Sequence, residues 1–151
     1  RQNFFMINRR AISNLLKNLE GDKEDFIKGL DMIIKAGVKI VNSTEELKEE
    51  LIGFDDIYQT SVIDLGFNYW LQVSDGKLSY QKGLNSDASF KMNYTKELII
   101  KILKGEISGT DAFMKGKIKV EGEISQGLRY VKLFRIFTKY LEKKNGNSNH
   151  N

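Results

Sequence analysis

The chain has 151 residues, 40% of them hydrophobic and 29% charged, a balance that fits one soluble globular domain and excludes a disordered chain. It has no cysteine and a formal net charge of +4, which excludes disulfides, thiolate metal sites and cysteine nucleophiles and leaves a weak, scattered attraction to phosphate or anionic lipid. No apolar run approaches the length that spans a bilayer.

In chain order, the first third reads as helical. Ile12, Leu15, Leu16 and Leu19 recur at helical spacing before Gly21, which predicts a first helix and its stop. Asp22 is placed to cap a second helix whose stripe is Phe26, Leu30, Ile33, Ile34 and Gly37. Ser43 and Glu46 have capping-box spacing for a short third helix, and Gly53 ends the helical region. Asp55 and Asp56 read as a solvated turn, and Ser61 to Leu65 is expected to open the strand-rich part.

From Phe67 to Ser74 apolar and polar residues alternate, and Asp75-Gly76 follows. That dipeptide tolerates the positive backbone angles of a two-residue turn, so Lys77 to Lys82 should return antiparallel. Asp87 to Tyr94 alternates again, with Ala88, Phe90, Met92 and Tyr94 on one side. Lys96 to Leu103 reads as a helix, and Ser108 with Asp111 caps one further turn. From Lys117 a strand places Ile118, Val120 and Ile124 opposite Lys117, Lys119, Glu121 and Glu123. The last helix, Gly127 to Lys143, gathers Arg129, Lys132, Arg135 and Lys139 on one side. Tyr130, Leu133, Phe134, Phe137, Tyr140 and Leu141 fill an opposite arc too wide for one neighbouring helix, so it should cover a sheet, a cavity or a partner. Residues 144–151 read as a polar, flexible tail.

Three markers in this order are similar to those of the sterol carrier protein 2 family of small lipid-binding domains. They are Trp70-Leu71 and Val73 before Ser74-Asp75-Gly76, then Asp87-Ala88-Ser89-Phe90-Lys91-Met92, then the run from Ala112 to Gly122, AFMKGKIKVEG. The resemblance covers about residues 58–141, with residues 1–53 as a helical extension of the same single domain. It implies an α+β fold: a five-stranded, mainly antiparallel sheet, helices over one face, and an apolar tunnel between the layers. It also implies a non-catalytic lipid-binding or lipid-transfer protein that holds a sterol, a fatty acyl chain or another hydrophobic molecule and needs no cofactor.

A carrier needs only a closed apolar space, because each buried methylene gains about 0.8 kcal/mol. The expected tunnel lining is Tyr69, Leu71, Phe90, Met92, Ile118 and Val120 from strands, with Leu98, Ile102, Phe113, Met114, Phe134 and Phe137 from helices. Taken singly, each of these is equally a core residue. Gly116 and Gly122 read as relief of crowding, and Trp70 points to the sheet's polar side. In the N-terminal segment, Phe4 and Phe5 accompany Arg9 and Arg10, an amphipathic pattern suited to docking on anionic membrane, to packing on the domain itself or to a homodimer.

Catalysis has little to stand on, since the one histidine is His150 and no phosphate-cradling glycine loop or paired metal-ligand motif occurs. The basic stripe lacks interleaved stacking aromatics, so nucleic acid is not an expected partner. The alternatives are an interaction module with a filled core, which could be dimeric, and a lipid-presenting partner of an enzyme. No signal-peptide core is present, and Asn149-His150-Asn151 is not a peroxisomal tripeptide, so a cytoplasmic location is expected.

Overall fold

The computed structural model describes residues 13–150, and side chains through residue 137. Phe4, Phe5, Arg9 and Arg10, the expected membrane-docking residues, lie outside the described residues. The helices are α1 (residues 13–18), α2 (Lys23–Ser43), α3 (Glu45–Glu50), α4 (Lys96–Leu103), α5 (Gly109–Met114) and α6 (Ile124–His150). The strands are β1 (Asp56–Val62), β2 (Phe67–Ser74), β3 (Lys77–Lys82), β4 (Phe90–Tyr94) and β5 (Lys119–Glu121). They form one sheet in the order β3-β2-β1-β4-β5. All neighbours are antiparallel except β1 and β4, which run parallel.

Strand alternation makes the sheet two-sided. Tyr58 lies opposite Leu71 and Phe90, Thr60 opposite Tyr69 and Met92, and Val62 opposite Phe67 and Tyr94. All of these are buried and belong to one face, on which the helices pack. The other face carries Asn68, Trp70, Gln72, Lys91 and Asn93. Leu19, Phe26, Leu30, Ile33, Ile34 and Val41 enter the same buried cluster as the strands and α4, so the N-terminal helices share the sheet's core. Asn42 of α2 accepts from Leu78 N (2.9 Å) and donates to Leu78 O (2.7 Å), covering part of the backbone of the edge strand β3.

Several local expectations match. Asp22 accepts from Asp25 N at 2.9 Å, Ser108 from Asp111 N at 2.9 Å, and Asp75 and Gly76 have φ of 53° and 73°.

Four expectations are corrected. Ser43 is not the cap of α3: its hydroxyl bonds back to Lys39 O (2.8 Å), the common alternative for a helical serine, so α2 runs on to Ser43. The first strand starts at Asp56, ahead of Ser61, because inward Asp56 and Thr60 break the apolar alternation that marks a strand. Asp56 is therefore no solvated turn residue but 4% exposed. The backbone of α6 begins at Ile124 and continues to His150, past the Lys143 end that the sequence predicts, and no proline stands there to stop it.

Gly37 and Gly122 are both required by close approach. A Cβ on Gly122 would lie 2.7 Å from Ser89 O, and its φ is 130°. At Gly37 a Cβ would lie 1.1 Å from Phe137 Cε1, so α2 admits the Phe137 ring only because this position has no side chain. Gly37→Ala, which in an exposed helix would stabilise by about 1 kcal/mol, should here expel Phe137 and forfeit about 2 kcal/mol of aromatic burial. The expected net result is a thermal midpoint about 3 °C lower, and an unchanged or raised midpoint would show that Phe137 does not seat against α2.

Candidate ligand cavity

The inner face of β4 supplies Phe90, Met92 and Tyr94 because alternate residues of a strand share a side. Over them lies α6, whose Gly127, Tyr130, Val131 and Phe134 recur at i, i+3, i+4 and i+7, the spacing of one helical face. Ile99 and Ile102 of α4, Ile107, Phe113 of α5 and Ile118 close the sides. These residues enclose an apolar cavity of about 190 Å³, with Gly105, Ser108, Gly109, Thr110 and Arg135 completing its wall. Ser108 and Arg135 are exposed, so the polar end of the wall is where the cavity meets solvent.

A second apolar space, about 40 Å³, lies beyond Tyr130 and Phe134, which border both. Ile34 and Val38 of α2, Tyr69 and Leu71 of β2, Leu78, Leu133 and Phe137 complete it. The rings of Tyr130 and Phe134 stack at 6.2 Å between centroids, and Tyr58 meets Tyr130 edge-on at 4.9 Å. A larger recess, about 320 Å³, lies between the turns at Gly53 and Asp75-Gly76. It is walled by turn residues including Asp55 and Asp75 and lacks the apolar enclosure a hydrophobic guest needs.

Of the twelve residues expected from sequence, Phe90, Met92, Ile102, Phe113, Ile118 and Phe134 border the larger cavity, and Tyr69, Leu71, Phe134 and Phe137 the smaller. Leu98 is buried in the core and borders neither. Two further positions are corrected. Met114 is 75% exposed: with Ala112 buried and Phe113 turned to the cavity, the next 100° step of α5 faces solvent. Val120 is 39% exposed because β5 is only three residues long and forms the sheet edge. Sequence reasoning missed Tyr130 and Val131 as lining residues, although the spacing from Gly127 to Phe134 on α6 contains the signal.

The position of α6 is set by an ion pair. Arg129 Nε and Nη2 donate to the two carboxylate oxygens of Asp56 at 2.6 and 2.9 Å, a bidentate fork. Tyr58 Oη donates to the same carboxylate at 2.7 Å, and Gln126 donates to it at 3.3 Å and to Ser89 Oγ at 2.6 Å. The Arg129 hydrogen bonds, seconded by Tyr58 and Gln126, hold the Asp56 carboxyl below the usual carboxylate range despite its burial. Burial raises the Tyr69, Tyr94 and Tyr130 hydroxyls well above the ordinary tyrosine value, so these groups stay neutral at any physiological pH.

A family model described as the SCP-2 sterol transfer family matches residues 38–135, more than half the chain. No curated protein sequence matches the chain significantly. Among solved structures, a crystal structure of sterol carrier protein 2 aligns with a TM-score of 0.60 at 15% identity over 73% of this chain and 93% of that one. A possible sterol carrier protein from Thermus thermophilus, called a conserved hypothetical protein, aligns with a TM-score of 0.59 at 14% identity over 75% and 86%. A double mutant of the sec-alkylsulfatase Pisa1, an enzyme from Pseudomonas sp., aligns with a TM-score of 0.55 at 17% identity over 77% of this chain, which spans only 17% of the enzyme's length. At these identities the structural likeness is one of fold.

Proposed function

Because the chain belongs to the SCP-2 sterol transfer family, we propose that it is a non-catalytic carrier that takes the apolar part of a lipid into the cavity between β4 and α6. The observation that carries this reading is the lining itself. Aliphatic and aromatic side chains from several elements converge on one enclosed space, and none of its residues is a carboxylate, a histidine or a lysine. Such a space gains free energy from removing hydrocarbon from water, and its hydroxyls, on Tyr94, Ser108, Thr110 and Tyr130, have no carboxylate, imidazole or amine beside them in the lining to activate them.

Ligand pockets usually measure about 300–1,000 Å³, whereas an apolar cavity of about 150 Å³ admits a benzene-sized guest. At about 190 Å³ the larger cavity holds a ring or a short length of chain, so a whole lipid would extend through the exposed end or displace α6. No described helix is long and apolar enough to cross a membrane, which suits a protein that collects lipid from a surface and carries it away.

A second reading, a lipid-presenting domain beside an enzyme, is favoured by the likeness to part of the alkylsulfatase; it uses the same cavity and differs in the partner. Native mass spectrometry of the purified chain, followed by analysis of its organic extract, tests both. Reproducible co-purifying lipid is expected. Absence of retained lipid, together with failure to take up a neutral fluorophore such as diphenylhexatriene, would remove both readings and leave the interaction module.

A further inference from the structure

Strand β5 ends the sheet, paired with β4 on one side and with no described strand on the other. Its backbone donors and acceptors on that outer side are open to a further strand. Residues 119–125 are all exposed. Exposed aliphatic side chains gather at the same edge: Val120 lies in β5, Met114 ends α5 just before it, and Ile124 starts α6 just after it. Charges on a short edge strand ordinarily keep edges apart. Here the order of their signs does the reverse. Lys119 and Glu121 flank Val120, with Lys117 and Glu123 one step further out, so the charge pattern changes sign about Val120. The register with β4 sets Lys119 opposite Asn93 and Glu121 opposite Lys91 on the outer face of the sheet, and Val120 opposite Met92 on the inner face. Among the described residues neither Lys119 nor Glu121 makes an ion pair within the chain.

We propose that β5 pairs antiparallel with β5 of a second copy of this chain about a two-fold axis at Val120, joining the two five-stranded sheets edge to edge. An interface of this kind is isologous, so each contact occurs twice. Val120 meets Val120, and Lys119 of each copy meets Glu121 of the other, giving two opposite-charge pairs from one strand. The signs also select the register. A slip of two residues in either direction keeps the same faces together, but it sets Lys119 against Lys119 or Glu121 against Glu121. A stable interface buries about 1,000 Å² or more, beyond the reach of three paired residues. Met114 and Ile124 must therefore be covered along with Val120, and the dimer should depend on concentration. A second copy is the occupant rather than a foreign strand because the complementary sequence is the strand's own. The inference is independent of the carrier reading, since it uses the sheet edge and not the cavity.

The test is sedimentation velocity over a range of concentrations on four forms of the full chain: wild type, Lys119→Glu, Glu121→Lys, and the double swap of both. Each single change makes both cross-pairs like-charged and should weaken self-association at least about tenfold, whereas the double swap restores opposite charges and should return to within about threefold of wild type. Mixing the two single variants gives a further check. One then carries two acids and the other two lysines at these positions, so each alone should be monomeric where the mixture dimerises. All variants should unfold cooperatively like the wild type, because both positions are exposed. A wild-type dimer that neither single change weakens would overturn the assignment to this edge. Loss in the single variants without recovery in the double swap and the mixture would overturn the two-fold register. A wild type that sediments as a monomer throughout would overturn the proposal and leave the edge to a strand of another protein.

Discussion

Replacing Arg129 by methionine is expected to lower the stability of the fold by about 3 kcal/mol. Removing one partner of a buried ion pair typically costs about 3–5 kcal/mol, because the remaining charge is stranded; the lower end applies because the Arg129 side chain is 36% exposed and part of its attraction is screened by solvent. Asp56, with 2% of its side chain exposed, would keep only Tyr58 and Gln126. For a chain of this size the thermal midpoint should fall by roughly 10 °C. The difference must also depend on pH. The Asp56 carboxyl is held below 3.8 in the folded chain, so its stabilisation is complete above the unfolded value of about 3.9 and is lost as pH falls through the lower folded one. The gap between wild type and Arg129→Met should therefore be full at pH 7 and shrink below about pH 4. A gap as wide at pH 3 as at pH 7, or no gap at either, would mean that the pair does not hold α6 on β1.

The largest functional effect is expected from Val131→Phe. Val131 is half-buried on the cavity side of α6, and a phenyl ring there projects into the space of about 190 Å³ that on the proposed carrier function would admit the guest. Uptake of diphenylhexatriene should fall at least about tenfold, which corresponds to about 1.4 kcal/mol of lost binding. Overpacking a filled core costs about 1–3 kcal/mol, but here the ring enters empty space, so unfolding should stay cooperative with a small change in midpoint. Leu128→Phe is the control: Leu128 lies on the same helix, is 58% exposed and borders neither space. Equal loss in both variants would point to a disturbed helix, and full uptake in Val131→Phe would place the ligand elsewhere.

Arg129 and Gln126 fasten the first turns of α6 to β1 and to Ser89, whereas Tyr130, Phe134 and Phe137 border the apolar spaces further along the same helix.

Much of this is legible along the chain. Caps at Asp22 and Ser108, the Asp75-Gly76 hairpin and the inward set Phe90, Met92 and Tyr94 each depend on residues no more than a few positions apart, so local spacing determines them. The same is true of the family markers, and with them of the fold class. Asp56 escapes a local reading because its partner lies 73 residues away, and no local pattern separates a carboxylate that will meet an arginine from one that will meet water. Strand alternation places Val120 inward and the expected helical lining included Met114, but α5 and β5 are short elements whose exposure depends on what covers them. Sequence by itself determined the elements, the polarity of each face and the family. Tertiary structure alone decided which inward side chains border empty space and which merely fill the core, because a cavity is a property of packing among distant elements and not of any one of them.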